Sequence, residues 1–262
     1  MKIARFKIND KVQYGIVEGD QIRSLTGLPW EKIVPTKEQY PLRQVTLLAP
    51  VQPPDVIAIG LNYKRHADES GFKYPEAPVI FLKTTSSVIG PDDPIVLPKM
   101  APTEVDYEAE LVLVIGKTCR RVTETEALSY VFGCTCGNDV SGRDCQMKLD
   151  KQWARGKSFD TFCPLGPWIE TEMDPDNAAI SFKLNGQVMQ DSNTNDMIFS
   201  SAKLVSFCSQ FATLRPGTVI MTGTPAGVGF ARKPPVFLKA GDVAEVIIQG
   251  IGTLRNPVRM EA

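Results

Sequence analysis

"VDYEAELVLVIGK", residues 105–117, sets two glutamates into a hydrophobic strand pattern. In an extended strand successive side chains point to opposite faces, so Glu108 and Glu110 share one face, followed on it by Val112 and Val114. Tyr107, Ala109, Leu111 and Leu113 make the other face. Apolar residues on both sides imply burial, and two neighbouring buried carboxylates require a cation or protons. On a half-exposed strand the same pair would simply be solvated. The rest of the chain has to separate these readings.

With 262 residues, the chain can hold one large domain or a main domain with a small extra one. Its 29 basic and 30 acidic residues leave a net charge of −1. No overall positive field draws in nucleic acid or an anionic membrane. No apolar run approaches the ~20 residues of a membrane span, and "MKIARFKIND" lacks the apolar core of a signal peptide, so the expected location is the cytoplasm. The six cysteines show no CxxC spacing and read as reduced packing thiols. A single histidine, His66, excludes any site that needs two imidazoles. A bound metal would have to be held by oxygen.

Along the chain, "MKIARFKI", "VQYGIVEG" and "QIRSL" read as a small strand meander with turns at Asn9–Asp10 and Gly19–Asp20. "LLAPVQPPDVIAIG" crosses three prolines, which places a boundary near residue 50. The expected organisation is a small N-terminal β domain over residues 1–50 and a main domain over 51–262. Two stretches have helical character. In "LNYKRHADESG" Asn62 is the expected cap and Gly71 the terminator, and "SSAKLVSFCSQFA" is apolar at Leu204, Phe207, Cys208 and Phe211. The tail "VFLKAGDVAEVIIQGIGTLRNPV" reads as two strands and a turn, so the chain is mainly β with a few helices.

Several polar residues have both a chemical and a bland reading. "GCTCGNDVSGRDCQ" offers Asp139 either as a turn residue or as the third carboxylate of a site with Glu108 and Glu110. Three hard oxygen anions favour Mg²⁺ or Mn²⁺. Lys157, in "ARGKSFDTFCPLGPW", is a surface lysine, a buried lysine beside an anion, or one of lowered pKa. "MTGTPAGVG" is a connecting loop, or one whose backbone and Thr224 bind a carboxylate; lacking a GKS or GKT ending, it is no Walker loop. His66 and Glu69, three apart in a helix, are surface neighbours or a base pair that removes a proton from water.

"DYEAELVLVIGK", "NDVSGRD", "RGKSFDTFCPLGPW", "MTGTPAGVG" and "GDVAEVIIQGIGTLRNPV" occur in an order that resembles the fumarylacetoacetate hydrolase superfamily. The likeness covers residues 50–262 and is strongest to the branch of acylpyruvate hydrolases and 2-hydroxyhepta-2,4-diene-1,7-dioate isomerases. It implies a mainly β (α+β) fold, a mixed β-sandwich roll preceded by a small N-terminal domain, in a homodimer. It further implies that Glu108, Glu110 and Asp139 hold the divalent ion. Lys157 stands at the active centre, Arg143, Gln146 and Thr224 face the ligand, and Lys83 of "FLK" contributes to substrate binding. His66 and Glu69 match the spacing of a catalytic pair on a short lid, expected over 66–78 and mobile without ligand. The chain has no second histidine for the role that fumarylacetoacetate hydrolase itself gives to one, which argues against that reaction.

These residues imply an enzyme of small 2-oxo acids that works through an enolate. The leading expectation is hydrolysis of the C–C bond of an acylpyruvate or fumarylpyruvate. Oxaloacetate tautomerisation or decarboxylation and double-bond isomerisation use the same electron sink and are the alternatives. A non-catalytic, metal-stabilised binding module is the remote one; it would not require His66, Glu69 and Lys157 beside the acids.

Overall fold

Residues 105–117 form two strands rather than one. In the computed structural model, which describes residues 1–100 and 103–262, Val105–Asp106 and Ala109–Ile115 are strands, with Tyr107 and Glu108 between them. Side chains cause the break by serving the N–H groups a ladder would use. Tyr107 N donates to Asp106 Oδ1 at 2.8 Å, and Glu108 N donates to Asn138 Oδ1 at 3.0 Å. The alternation nevertheless persists. Tyr107, Ala109, Leu111 and Leu113 enter one core cluster, and Val112 and Val114 enter another on the opposite face.

Among the described residues, twelve strands build the first sheet. Its main path runs Pro35–Pro41, Gln21–Leu25, Lys11–Glu18, Lys2–Ile8, Cys163–Glu170, Val131–Asn138, Ala109–Ile115, Val219–Met221, Val56–Gly60 and Val79–Lys83. Ala109–Ile115 is central, antiparallel to Val131–Asn138 on one side and to Val219–Met221 on the other. The second sheet consists of Gln187–Asn193, Ala179–Leu184, Val243–Ile248, Gly252–Met260 and Ile95–Leu97. Leu111 and Leu113 from the first sheet pack with Phe182, Val246, Ile248 and Leu254 from the second, each nearly or fully buried. Each such side chain contributes about 1.5–3 kcal/mol of burial. Tyr107 stacks on Phe182 across this layer, with ring centroids 4.3 Å apart and planes 3° apart.

The N-terminal meander forms as read, Asn9 and Asp10 taking positive φ at its first turn. Its first strand continues the main sheet: Lys2 pairs with Glu170 and Ile3 with Ile169, and the amino terminus meets Glu170 Oε1 at 2.5 Å. Residues before and after the proline crossing therefore share one sheet. The two expected helices are present as Lys64–Ser70 and Ser201–Phe211. Ser200 caps the second, whose buried stripe is Leu204, Val205 and Cys208; Phe207 is half-buried and Phe211, its last residue, is exposed. Gly71 ends the first helix in the left-handed conformation, at φ 71°. Asn62 does not cap it. Tyr63 takes the cap position, because the Asn62 amide donates to the carbonyls of Phe199 and Thr222 and accepts from Phe199 N, at 2.8–3.1 Å. All six cysteines are free and buried, and no described helix is long and apolar enough to cross a membrane.

Candidate active site

Glu110 on the central strand and Glu108 just before it receive Asp139 from just past the end of Val131–Asn138. Asp139 N donates to the Glu108 carbonyl at 2.9 Å, and one carboxylate oxygen from each of the three acids lies within 4.8 Å of the others. All three are buried. Cations close around two of them. Lys157 Nζ lies 2.8 Å from Glu108 Oε2 and 2.5 Å from Asp139 Oδ2, Lys83 Nζ lies 2.5 Å from Asp139 Oδ1, and Arg143 Nη2 lies 2.5 Å from Glu108 Oε1. The remaining guanidinium nitrogens bond Asp106 Oδ2 through Nε and Gln146 Oε1 through Nη1.

Asp106 is the member that the sequence reading passed over. It accepts from Arg143 and from the backbone N–H groups of Tyr107, Gly229 and Phe230, tying the motif to the end of the glycine-rich loop. The signal was present: Asp106, Glu108 and Glu110 follow one period-two row. Gln190 was likewise missed, and a lone glutamine in a strand offers no such signal. Its Oε1 accepts from Ala109 N and its Nε2 donates to Thr224 Oγ1, both close to 2.9 Å. With its oxygen occupied as an acceptor, the Thr224 hydroxyl keeps its proton for a ligand.

Four carboxylates face three cations here, and the uncompensated charge falls on Glu110. Burial raises its pKa well above the ordinary carboxylate range, and repulsion from Asp139 and Glu108 adds to the effect, against a single N–H from Gly223 at 2.8 Å. Burial pushes Glu108 upward too, but Lys157 and then Arg143 outweigh it and hold the carboxyl far below its usual range. Burial likewise disfavours the Lys157 charge, while Asp139 and Glu108 more than restore it. Lys157 is thus a fixed cation and not a lysine of lowered pKa.

A cavity of about 520 Å³ opens over this cluster. Glu108, Glu110, Arg143, Gln146, Lys157 and Thr224 line one part of it, as does His66. Asp139 and Lys83 are outside the lining and reach it through Lys157, so Lys83 acts on the site by holding Asp139. His66 Nδ1 is 2.8 Å from Glu69 Oε1, and Gly227 N donates to both oxygens of Glu69. His66 is also close enough to Glu108 to help keep that carboxyl ionised. The structure therefore brings together all ten residues singled out in the sequence, eight of them on or directly behind the cavity wall and Glu69 and Lys83 one contact further.

The model for the "Fumarylacetoacetate (FAA) hydrolase C-terminal" family matches residues 55–259, and that for "Rv2993c-like, N-terminal" matches residues 1–50. The chain belongs to the fumarylacetoacetate hydrolase family. A rat member of it, named oxaloacetate tautomerase Fahd2a, mitochondrial, is 50% identical over 222 residues, which is 83% of this chain and 71% of the rat protein. Two solved family structures superpose along essentially the whole of both chains. The 5-carboxymethyl-2-hydroxymuconate delta-isomerase of Mycobacterium smegmatis has a TM-score of 0.91 at 42% identity, covering 100% of each chain. The 2-hydroxyhepta-2,4-diene-1,7-dioate isomerase of Mycobacterium marinum has 0.90 at 39%, covering 100% of this chain and 99% of that one.

The residues present fit the divalent ion on which this family depends. Three oxygen donors converge without nitrogen or sulfur, and the one acid without a cationic partner, Glu110, is the one whose charge such an ion would compensate.

Proposed function

We propose that this chain is a divalent-metal-dependent enzyme that moves a proton at the carbon beside the keto group of a small 2-oxo acid, interconverting keto and enol forms or double-bond isomers. The observation that carries this reading is the placement of His66: it shares one cavity with Glu108 and Glu110, and Glu69 fixes its ring. An Mg²⁺ or Mn²⁺ ion held by Glu108, Glu110 and Asp139 would supply Lewis-acid charge for the keto oxygen.

The chain's own side chains supply the rest. Glu69 accepts at Nδ1 and leaves Nε2 of His66 to exchange a proton with the substrate carbon or its enol oxygen. Lys157 adds fixed positive charge beside the trio. Thr224, oriented by Gln190, donates its hydroxyl to the substrate carboxylate, and Gln146, anchored by Arg143, offers its amide N–H. Lys83 and Arg143 hold the Asp139 and Glu108 carboxylates in place. The activities for which the rat and mycobacterial relatives are named, a tautomerase and two isomerases, support proton transfer as the shared step.

Hydrolysis of an acylpyruvate C–C bond is the second reading, favoured by the same pair: a histidine oriented by a carboxylate can take its proton from water instead. Product identity separates the two. With Mg²⁺ or Mn²⁺ present, enol oxaloacetate should decay to its keto form faster than in buffer, and acylpyruvates should be tested for release of pyruvate. If no 2-oxo acid is converted by the metal-loaded protein, the proposal fails.

A further inference from the structure

We propose that Arg232, outside the cavity lining, is a positioning residue for His66: it fixes Gly227, whose N–H holds the Glu69 carboxylate that orients the imidazole. The inference rests on reading His66 as the group that moves the proton, and it names what keeps that group in place.

The path is continuous in hydrogen bonds. The short turn Gly229–Ala231 carries Phe230 to the cavity wall and returns Arg232 to Gly227. Arg232 Nε lies 3.3 Å from the Gly227 carbonyl oxygen and 3.2 Å from the Tyr107 hydroxyl, which itself donates to that carbonyl at 3.2 Å. Arg232 Nη2 donates to the Met189 carbonyl. On its other side Gly227 gives its N–H to Glu69, at 3.0 and 2.9 Å from the two oxygens, and Glu69 Oε1 lies 2.8 Å from His66 Nδ1. One glycine thus offers its acceptor to a cation and its donor to an anion, so each hydrogen bond polarises the next.

Arg232 differs from an ordinary surface arginine. It is half-buried, its guanidinium meets neutral oxygens, and no carboxylate among the described residues pairs with it. What the planar fork supplies instead is several donors in one fixed geometry, which a lysine cannot reproduce. Gly227 has no slack against that clamp. At φ 102° it holds a conformation that favours glycine, and an added Cβ would fall 2.3 Å from the same Met189 carbonyl that Arg232 bonds. Arg232 therefore pins the glycine-rich loop to the strand Gln187–Asn193 at the point where Glu69 docks. None of its hydrogen bonds goes to Glu108, Glu110 or Asp139, so its loss reaches the imidazole and spares the acid trio.

His66 is the only histidine in the chain, so its ring can be observed alone. In protein labelled with ¹⁵N-histidine and loaded with Mg²⁺, the wild type should show one slowly exchanging Nδ1–H signal. Arg232→Ala should shift that signal or lose it to exchange with water, as Glu69→Ala does, and Arg232→Lys should retain part of it. Turnover of a 2-oxo acid by Arg232→Ala should fall about tenfold to a hundredfold in kcat, with KM and the Kd for Mn²⁺ moving less than about threefold. Arg232→Lys should recover part of the loss. If the alanine variant does not fold, Arg232→Gln takes its place with the same expectations. An imidazole signal that Arg232 variants leave unmoved, or a loss of Mn²⁺ binding as large as the loss of kcat, overturns the proposal while the 2-oxo acid reading stands. If no 2-oxo acid is converted, that reading falls, and the imidazole signal still decides whether Arg232 positions His66.

Discussion

His66 Nδ1 and Glu69 Oε1 lie 2.8 Å apart, and Gly227 N donates to both oxygens of that same carboxylate, at 3.0 and 2.9 Å. Glu69 thus joins the short helix Lys64–Ser70 to the glycine-rich loop and fixes the imidazole over the acid cluster. His66→Ala should lower turnover by about 10²–10⁴-fold, the range for loss of a general acid–base group, and Glu69→Gln by less, since the amide still hydrogen-bonds. Steady-state kinetics on one 2-oxo acid checks both. If acylpyruvate cleavage occurs, its selective loss in His66→Ala with tautomerisation retained would assign His66 to water; unchanged rates would remove it from the mechanism.

Metal and ligand should stabilise together. Mg²⁺ alone at about a hundred times its Kd raises stability by about 2.7 kcal/mol. Adding oxalate, an analogue of pyruvate enolate, should raise the melting temperature well beyond the ion alone, and Glu110→Gln should abolish most of both gains. Thermal melts with the ion, with oxalate and with both decide it; additive shifts would point to a purely structural ion site.

In metal-free protein the two glutamates pull stability in opposite directions with pH. Glu110 has a raised folded pKa from burial and from Asp139 and Glu108, so the folded state binds its proton more tightly than the unfolded chain does. Its contribution therefore weakens as pH rises above the unfolded value of about 4.3, up to the raised folded one. Glu108 is lowered, because Lys157 and Arg143 outweigh its burial, so its contribution is present above about pH 4.3 and is lost on acidification. Denaturant titrations in chelator should show Glu110→Gln gaining stability over wild type increasingly from pH 4 to 7. A constant difference would contradict the charge assignment.

Asp106 holds Arg143 and three backbone N–H groups while wholly buried. Asp106→Ala leaves that guanidinium short of a partner and should cost about 3–5 kcal/mol in urea melts, with activity falling alongside. Gly229→Ala attacks the same contact from the other side, since its Cβ would fall 1.9 Å from the Val236 carbonyl and 2.4 Å from Asp106 Oδ1. A destabilisation under 1 kcal/mol in both variants would show that this tie is dispensable.

Period and punctuation made much of this protein legible in its sequence. The strict alternation of residues 107–114 placed Glu108 and Glu110 on one face and marked both faces as at least partly buried, because a strand has one geometry available to its side chains. Gly71 marked a helix end for an equally local reason. Asn62 misled, since its amide found partners more than a hundred residues away that outcompeted a local cap.

What only the tertiary structure decided is which charges meet. Lys83, Asp106, the Asp139–Arg143 stretch and Lys157 come from separate segments, and no local rule pairs their charges. Burial in one shared space makes each charge set the others' ionisation, leaving Glu110 as the site's unmatched anion. Residue types and spacing fix what chemistry a chain can offer; long-range packing fixes where it is gathered, because Coulomb and contact energies depend on distance in space and not along the chain.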